Sequence, residues 1–394
     1  MLLDRLKTSP YFEPDHTKAE LFWIPHQARR SVASWQCTAL LTPLTRRVSP
    51  QMPFAAHNWT TQAYDLIRTK WPYLNRSISA SQTRHFITLT CDQGPGSCNY
   101  APREFMRVGG LPRWWNPADP NRVIGHLLWN GRRDGADAGL QDCLVCFQHG
   151  KDIQLVTGQN TCGPLCGYNR SQLRAWSVWS PEVSEEARRA HAARKNLLFY
   201  GGRIHVARGN DDTSGRAQIL NHASRPGWHI VNTKGDDPEH PLPVEVRSTY
   251  KLFSEEMSSS EFCYSPLGQF EGDTDRYVAA IMFGCIPVML KTAILGPHRV
   301  PMAQPCEERL DWSTFSVLVD IDDVPTRLPD ILGNITRAQR RRMRAVMALV
   351  WRRFLWSSIY GSYLDELREG GDAFETLMDV FRIRAAAMPP LPTT

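Results

Sequence analysis

No run of apolar residues in this 394-residue chain reaches the ~18 needed to cross a bilayer as a helix. The N-terminus, Met1 to Pro10, also lacks the apolar core of a signal peptide, because Asp4, Arg5 and Lys7 interrupt it. Charge of one sign is scarce. Forty-six basic and forty acidic residues leave a net +6, too mild to mark the whole chain as a binder of nucleic acid or acidic membranes. A convincing Asp-x-Asp metal pair is missing as well. Asp273-Thr274-Asp275 has the letters, but it lies in a loop entering a helix, where backbone contacts to phosphate are expected. Finally, 42% hydrophobic and 22% charged residues exclude a disordered chain and leave enough apolar mass for two domains of ordinary size.

Other residue types are plentiful. Thirteen tryptophans and twenty-eight prolines fit a loop-rich protein, and indole faces stack on pyranose rings as readily as they fill cores. Seven arginines between Arg337 and Arg353 make a basic helix that could meet RNA, acidic lipid or anionic glycan, or simply face water. Ten cysteines give several readings. Cys143, Cys146, Cys162 and Cys166 have the spacing of a four-thiolate zinc site. Cys91 and Cys98 are close enough for a small disulfide loop, and Cys263 and Cys285 read as buried thiols in apolar strands. Sequons stand at Asn58, Asn75, Asn169 and Asn334 and are usable only in a secretory compartment.

The segment from Glu261 to Leu290 organises the rest. Phe262 to Tyr264 is a short apolar run closed by Ser265-Pro266, and a loop with Gly268 and Gly272 follows. Asp273 or Thr274 can cap a helix, since a short side-chain oxygen accepts from a free backbone N–H. Tyr277, Val278, Ile281 and Met282 then share one helical face. Gly284 ends the helix, and Ile286 to Leu290 reads as a buried strand. A loop leading onto a helix N-terminus suits a phosphate, and Arg276 adds a cation whose fork fits phosphate oxygens. An ordinary αβ unit with a surface arginine reads the same way.

Further strands are expected at Ala19–Pro25, Arg84–Thr90, Lys151–Val156, Leu197–Tyr200, His229–Val231 and Val317–Ile321. Helices are expected at Tyr64–Trp71, ending at Pro72, at Arg216–His222, at Tyr250–Met257 and from Thr336 onward. Alternating strands and helices predict α/β units with parallel sheets. The charged segment from Pro181 to Arg194 reads as a linker or helix and marks a boundary. The expected division is 1–187 with a loop-rich insertion at about 95–150, then 188–335, then C-terminal helices over 336–388.

Ser265-Pro-x-Gly268, then Gly272-Asp-Thr-x-Arg276, then Ala280-Ile-x-x-Gly284-Cys-Ile-Pro-Val288 resembles the donor segment of exostosin-like glycosyltransferases, family 47. Asp311-Trp-Ser-Thr-Phe-Ser-Val317 resembles that family's next motif, and Trp71-Pro-Tyr-Leu-Asn-Arg76 and Arg194-x-x-Leu-Leu-Phe-Tyr-x-Gly202 resemble earlier ones. The resemblance implies a GT-B fold, with two Rossmann-like domains facing across a cleft and the last helices crossing back to the first domain. It implies an inverting transfer from a UDP-sugar, as co-substrate, to a glycan on polysaccharide or glycoprotein. No metal cofactor and no nucleic acid are expected. The resemblance also implies a Golgi setting, disulfides in preference to zinc, and a homodimer or a heterodimer with a related transferase.

On that resemblance the donor diphosphate falls to Gly201, Gly202, Arg203, Arg208, Ser265, Gly268, Asp273, Thr274 and Arg276. Asp92, at the end of a strand in the first domain, is the candidate general base that takes the acceptor hydroxyl's proton; capping the next turn is its alternative role. Two positions depart from the family pattern. Cys91 replaces a histidine beside Asp92, and Ala279 replaces an acid one helical turn after Arg276, where it would reach ribose hydroxyls. Three hypotheses follow: an active transferase, a non-catalytic family member that binds glycan or partners an active relative, and a zinc-containing nucleic-acid binder.

Overall fold

Short apolar runs separated by polar segments become parallel strands here because helices and loops return the chain in the same direction each time. The computed structural model describes residues 2–24, 69–89, 124–128, 152–156, 177–179, 193–202, 204, 214–232, 250–267, 276–295, 298–356 and 371–390. They form two units, 3–155 with 378–394 and, apart from the first two residues, 156–377. The chain is α/β, with a Rossmann-like parallel sheet in each unit.

The N-terminal unit holds β1 (Phe22–Ile24), β2 (His85–Leu89), β3 (Ile124–Leu128) and β4 (Ile153–Gln154). They lie side by side in chain order, all parallel. Phe86, Leu127, Ile153 and Leu74 are buried in its core. The helix Pro72–Ser79 begins where a helix was expected to end. Residues 69–70 are helical, Trp71 is extended at φ −130°, and Pro72 opens a new helix. The proline ring pushes the preceding residue out of the helical region, yet suits a first helical position, whose N–H has no partner to lose.

The last helix, Ala373–Ala387, completes this unit from the far end of the chain. Val380 is fully buried, and the Phe381 ring lies 4.7 Å from that of Phe86. Buried Arg384 donates to the Asp152 carbonyl at 2.7 Å. Buried Arg84 donates to the carbonyls of Glu20 and Pro389. Burial alone pushes the pKa of His85 down to about 4; its Nδ1 meets the Ser77 hydroxyl at 3.2 Å.

The C-terminal unit holds β5 (Asn196–Gly202), β6 (Trp228–Asn232), β7 (Ser260–Ser265), β8 (Ile286–Leu290), the β9–β10 hairpin (Thr292–Leu295, His298–Pro301) and β11 (Val317–Val319). The five long-range strands form one parallel sheet in the order β11-β8-β7-β5-β6. Every residue of β8 is buried, as expected for a strand covered on both faces. Cys263 in β7 and Cys285 just before β8 are not the free thiols expected from the sequence. They form a disulfide between neighbouring strands, with Cα atoms 5.7 Å apart.

Helix Arg276–Met282 is buried over six of its seven residues. It ends in a Schellman arrangement. The Cys285 N–H donates to Ala280 and the Gly284 N–H to Ile281, with Gly284 at φ +67°, a conformation that costs glycine nothing. The Asp311 motif is structural. Asp311 caps a short turn through Ser313, which seats the Trp312 ring 5.3 Å from Tyr277 and 5.4 Å from Phe354.

The arginine-rich helix, Arg337–Val350, starts in a reciprocal capping box between Thr336 and Gln339. Met347 is buried on its inner face. It belongs to the C-terminal unit, and not all its arginines turn outward as expected: Arg344 donates to the Gly284 carbonyl at 3.0 Å and pairs with Glu261. Among the described residues, the last helix returns to the N-terminal unit from Met378 onward. No described helix is long and apolar enough to cross a membrane.

Candidate functional site

Strand order in the C-terminal sheet locates the site. From β5 the chain moves to β6 on one side, then crosses to β7 on the other. The order reverses between β5 and β7, and in open α/β sheets ligands bind at the C-terminal ends of the strands at such a reversal. Gly201 and Gly202 end β5, and Ser265 ends β7. Phe199 pairs with Cys263, so the same register two residues on sets Ser265 level with Gly201.

Arg276, the first residue of the following helix, comes back over this point. Its Nε donates to the Gly201 carbonyl at 3.0 Å, and its guanidinium carbon lies 5.7 Å from the centre of the Tyr200 ring. Its two terminal nitrogens take no described partner. Four of the expected donor residues, Gly201, Gly202, Ser265 and Arg276, are thus gathered at one end of one sheet.

Gly201 and Gly202 are strand residues, and close packing requires them. A Cβ on Gly202 would sit 2.6 Å from an Arg276 terminal nitrogen and 2.8 Å from the Tyr200 hydroxyl; one on Gly201 would sit 2.4 Å from the Phe253 ring. Their bare backbone is the floor on which Arg276 lies. Ser265 is buried. Ala279 is completely buried, so the position where the family carries an acid offers no surface to a ribose here.

Sequence reading assigned no role at this site to Tyr200, the aromatic shelf under Arg276, or to Arg216. Arg216 donates through Nε to the Leu267 carbonyl at 2.8 Å, two residues beyond the end of β7. It is held there by its neighbours. The Tyr264 hydroxyl donates to the Gly215 carbonyl at 2.9 Å, the Leu267 N–H donates to Ser214, and Gly215 adopts φ +78°. The Gly-Arg pair was the available signal, obscured because residues 216–222 read as a helix; the helical part is a 3-10 turn starting at Gln218.

The remaining expected residues, Arg203, Arg208, Gly268, Asp273, Thr274 and Asp92, lie outside the described residues, as do the cysteine pairs 91/98, 143/146 and 162/166. Among the described residues no cluster of metal-binding side chains occurs.

Comparison with known proteins agrees with the sequence motifs. Residues 126–335, over half of the chain, match the model of the exostosin GT47 domain. The chain belongs to that family. It is 35% identical over 285 residues to a probable glucuronosyltransferase of Oryza sativa subsp. japonica, covering 72% of this chain and 52% of the relative. It is 28% identical over 290 residues to a probable glycosyltransferase of Arabidopsis thaliana, covering 74% and 42%. With Exostosin-1 of Drosophila melanogaster it shares 24% identity over 68% of this chain and 34% of that protein. The chain thus spans about half or less of these relatives' lengths. Among solved structures, Anabaena HepE in complex with UDP and glucose aligns over 77% of this chain and 71% of its own at 10% identity, with a TM-score of 0.33. That likeness is too loose to carry an argument.

Proposed function

We propose that this chain is an inverting glycosyltransferase that moves a sugar from a UDP-sugar to a glycan acceptor on a polysaccharide or glycoprotein. The observation that carries this reading is Arg276, anchored by one N–H to Gly201 at the switch point of the sheet, with its terminal nitrogens bonded to none of the described residues. A leaving diphosphate gains negative charge as the bond to the sugar breaks. A guanidinium already held in place stabilises that charge without reorganising, and its fork matches phosphate oxygens. Arg216 supplies a second cation beside the same strand end.

On this reading the fold is of the GT-B type. The donor binds the C-terminal unit, where Arg203, Arg208, Gly268, Asp273 and Thr274 extend the site beyond Gly201, Gly202, Ser265 and Arg276. Asp92 in the N-terminal unit takes the proton of the acceptor hydroxyl. The hydroxyl oxygen then bonds to the anomeric carbon as the bond to UDP breaks, and attack from the opposite face inverts the configuration. The positive charge comes from arginine, so no metal is required. The setting is the Golgi, where the disulfide between Cys263 and Cys285 is at home. Pairing with a related transferase is part of the same reading.

One observation favours a second reading: the family acid is an alanine, and that alanine is wholly buried. A non-catalytic member that binds glycan or partners an active relative would tolerate this change. Calorimetric titration with UDP, followed by a screen of UDP-sugars for slow hydrolysis, separates the two. Saturable UDP binding is expected, weakened about ten- to a hundredfold in Arg276→Ala through loss of a charged hydrogen bond. Gly202→Ala is expected to weaken it too, because its methyl group displaces the guanidinium. Absence of UDP binding in the wild-type chain overturns the transferase; binding with no hydrolysis of any UDP-sugar favours the second reading.

A further inference from the structure

Helix Arg337–Val350 contains five arginines and no acidic residue, and the fold sorts them into two groups. Arg340 and Arg344 turn inward. Glu261 faces both, and the carbonyls of Ile335 and Gly284 accept from their Nε groups. Arg337, Arg341 and Arg342 are exposed and make no ion pair or hydrogen bond with any described residue. Arg337 and Arg341 are one turn apart on the same face, an arrangement of like charges that weakens a helix in isolation. Ala338, Ala345 and Leu349, the last 79% exposed, fill the rest of this face. A self-repelling row of guanidinium groups, with two alanines and one leucine beside it, is complementary to an extended polyanion.

We propose that this face binds an anionic polysaccharide, a polymer of carboxylate-bearing sugars, and so holds an acidic acceptor chain on the enzyme outside the reaction site. The proposal rests on the transferase reading for the word acceptor; the binding itself does not. Arginine forks pair bidentately with planar carboxylates, and several weak pairs along one helix side suit a repeating polymer. A membrane is a poorer fit. An interfacial helix turns its apolar face to lipid, whereas here Met347 is buried and Met343, Val346 and Val350 are half-buried in the protein. Single-stranded nucleic acid is a poorer fit as well, because the exposed face offers no aromatic ring for base stacking.

The test measures binding of the full chain to polygalacturonate at low and high salt. A neutral glucan, an oligothymidylate, and vesicles of phosphatidylcholine with phosphatidylserine serve as parallel probes. Saturable, salt-sensitive binding to polygalacturonate is expected, with weaker binding to each other probe. Combining Arg337→Glu, Arg341→Glu and Arg342→Glu is expected to lower the affinity on the order of tenfold or more, with unchanged melting and unchanged UDP binding. The corresponding triple lysine variant, which keeps the charge but not the fork, should fall between. Equal binding of polygalacturonate by the wild type and the triple glutamate variant overturns the proposal, as does equal or tighter binding to the oligonucleotide or the vesicles. Failure to bind UDP would count against the transferase alone, since polygalacturonate binding is read without the reaction.

Discussion

Both units bind backbone carbonyls with arginines, half-buried in the C-terminal unit and buried in the N-terminal one, and they use them differently. In the C-terminal unit Arg194 donates to the carbonyls of Met257, Ser260 and Phe283, and Arg344 to Gly284 and Glu261. These partners come from one continuous part of the chain. Burial and the like charge of Arg344 pull the Arg194 pKa down to about 9, with Glu261 opposing, so it stays charged at neutral pH. In the N-terminal unit Arg84 and Arg384 tie together segments 305 and 232 residues apart. One unit is closed by its own neighbours; the other is incomplete until the end of the chain arrives. Such long loops delay a unit's contacts until distant segments meet.

Cutting the chain before residue 378 breaks that comparison most sharply. The N-terminal sheet would lose the Val380 side chain, the Phe381–Phe86 contact and the Arg384 bond to Asp152. A loss of about 5 kcal/mol or more should abolish cooperative unfolding of this unit and leave the other folded, as hydrogen exchange would report. Uniform exchange in both units would refute the division.

Replacing Cys263 and Cys285 together by serine acts on the other unit. The disulfide joins residues 22 positions apart in β7 and just before β8, and its loss should cost about 3 kcal/mol there with the N-terminal unit's melting unchanged.

Two histidines sharpen the comparison further, because they shift in opposite directions. His85 has its pKa depressed by burial to about 4, so its stabilising effect is present above the unfolded value near 6.5 and is lost as pH falls toward 4. That is worth about 3 kcal/mol across the window. His85→Asn should flatten the acid limb of the N-terminal unit's stability profile. His229 has its pKa raised, first by its hydrogen bond to Glu256 at 2.6 Å. Its contribution is present below the unfolded value and lost as pH rises through the folded one. The side chain is 41% exposed, so solvent reduces the effect to about a few tenths of a kcal/mol. His229→Gln should narrow the C-terminal unit's small advantage at pH 6 over pH 8, read from urea midpoints at the two values.

Strands β7 and β8 were legible in the sequence because covered parallel strands read as unbroken apolar runs, and Gly284 marked a helix end by its conformation. The gathering of Gly201, Ser265 and Arg276 was legible through motifs. The packing role of the glycines was not, since what excludes a side chain is Phe253 at Gly201 and, at Gly202, an arginine 74 residues further on. The disulfide was missed for a related reason: two cysteines in apolar runs look alike whether or not their strands become neighbours. Arg216 escaped because a Gly-Arg pair has no distinctive pattern until Tyr264 and Leu267 are folded against it.

The sequence by itself determined the α/β class, the positions of most strands and the family, because periodicity and ordered motifs are local properties of the chain. Only the tertiary structure decided which strands adjoin, where the sheet reverses, which cysteines pair and which arginines face water. Those depend on contacts between segments far apart in the chain, where burial and hydrogen-bond satisfaction select one arrangement among many that the local pattern allows.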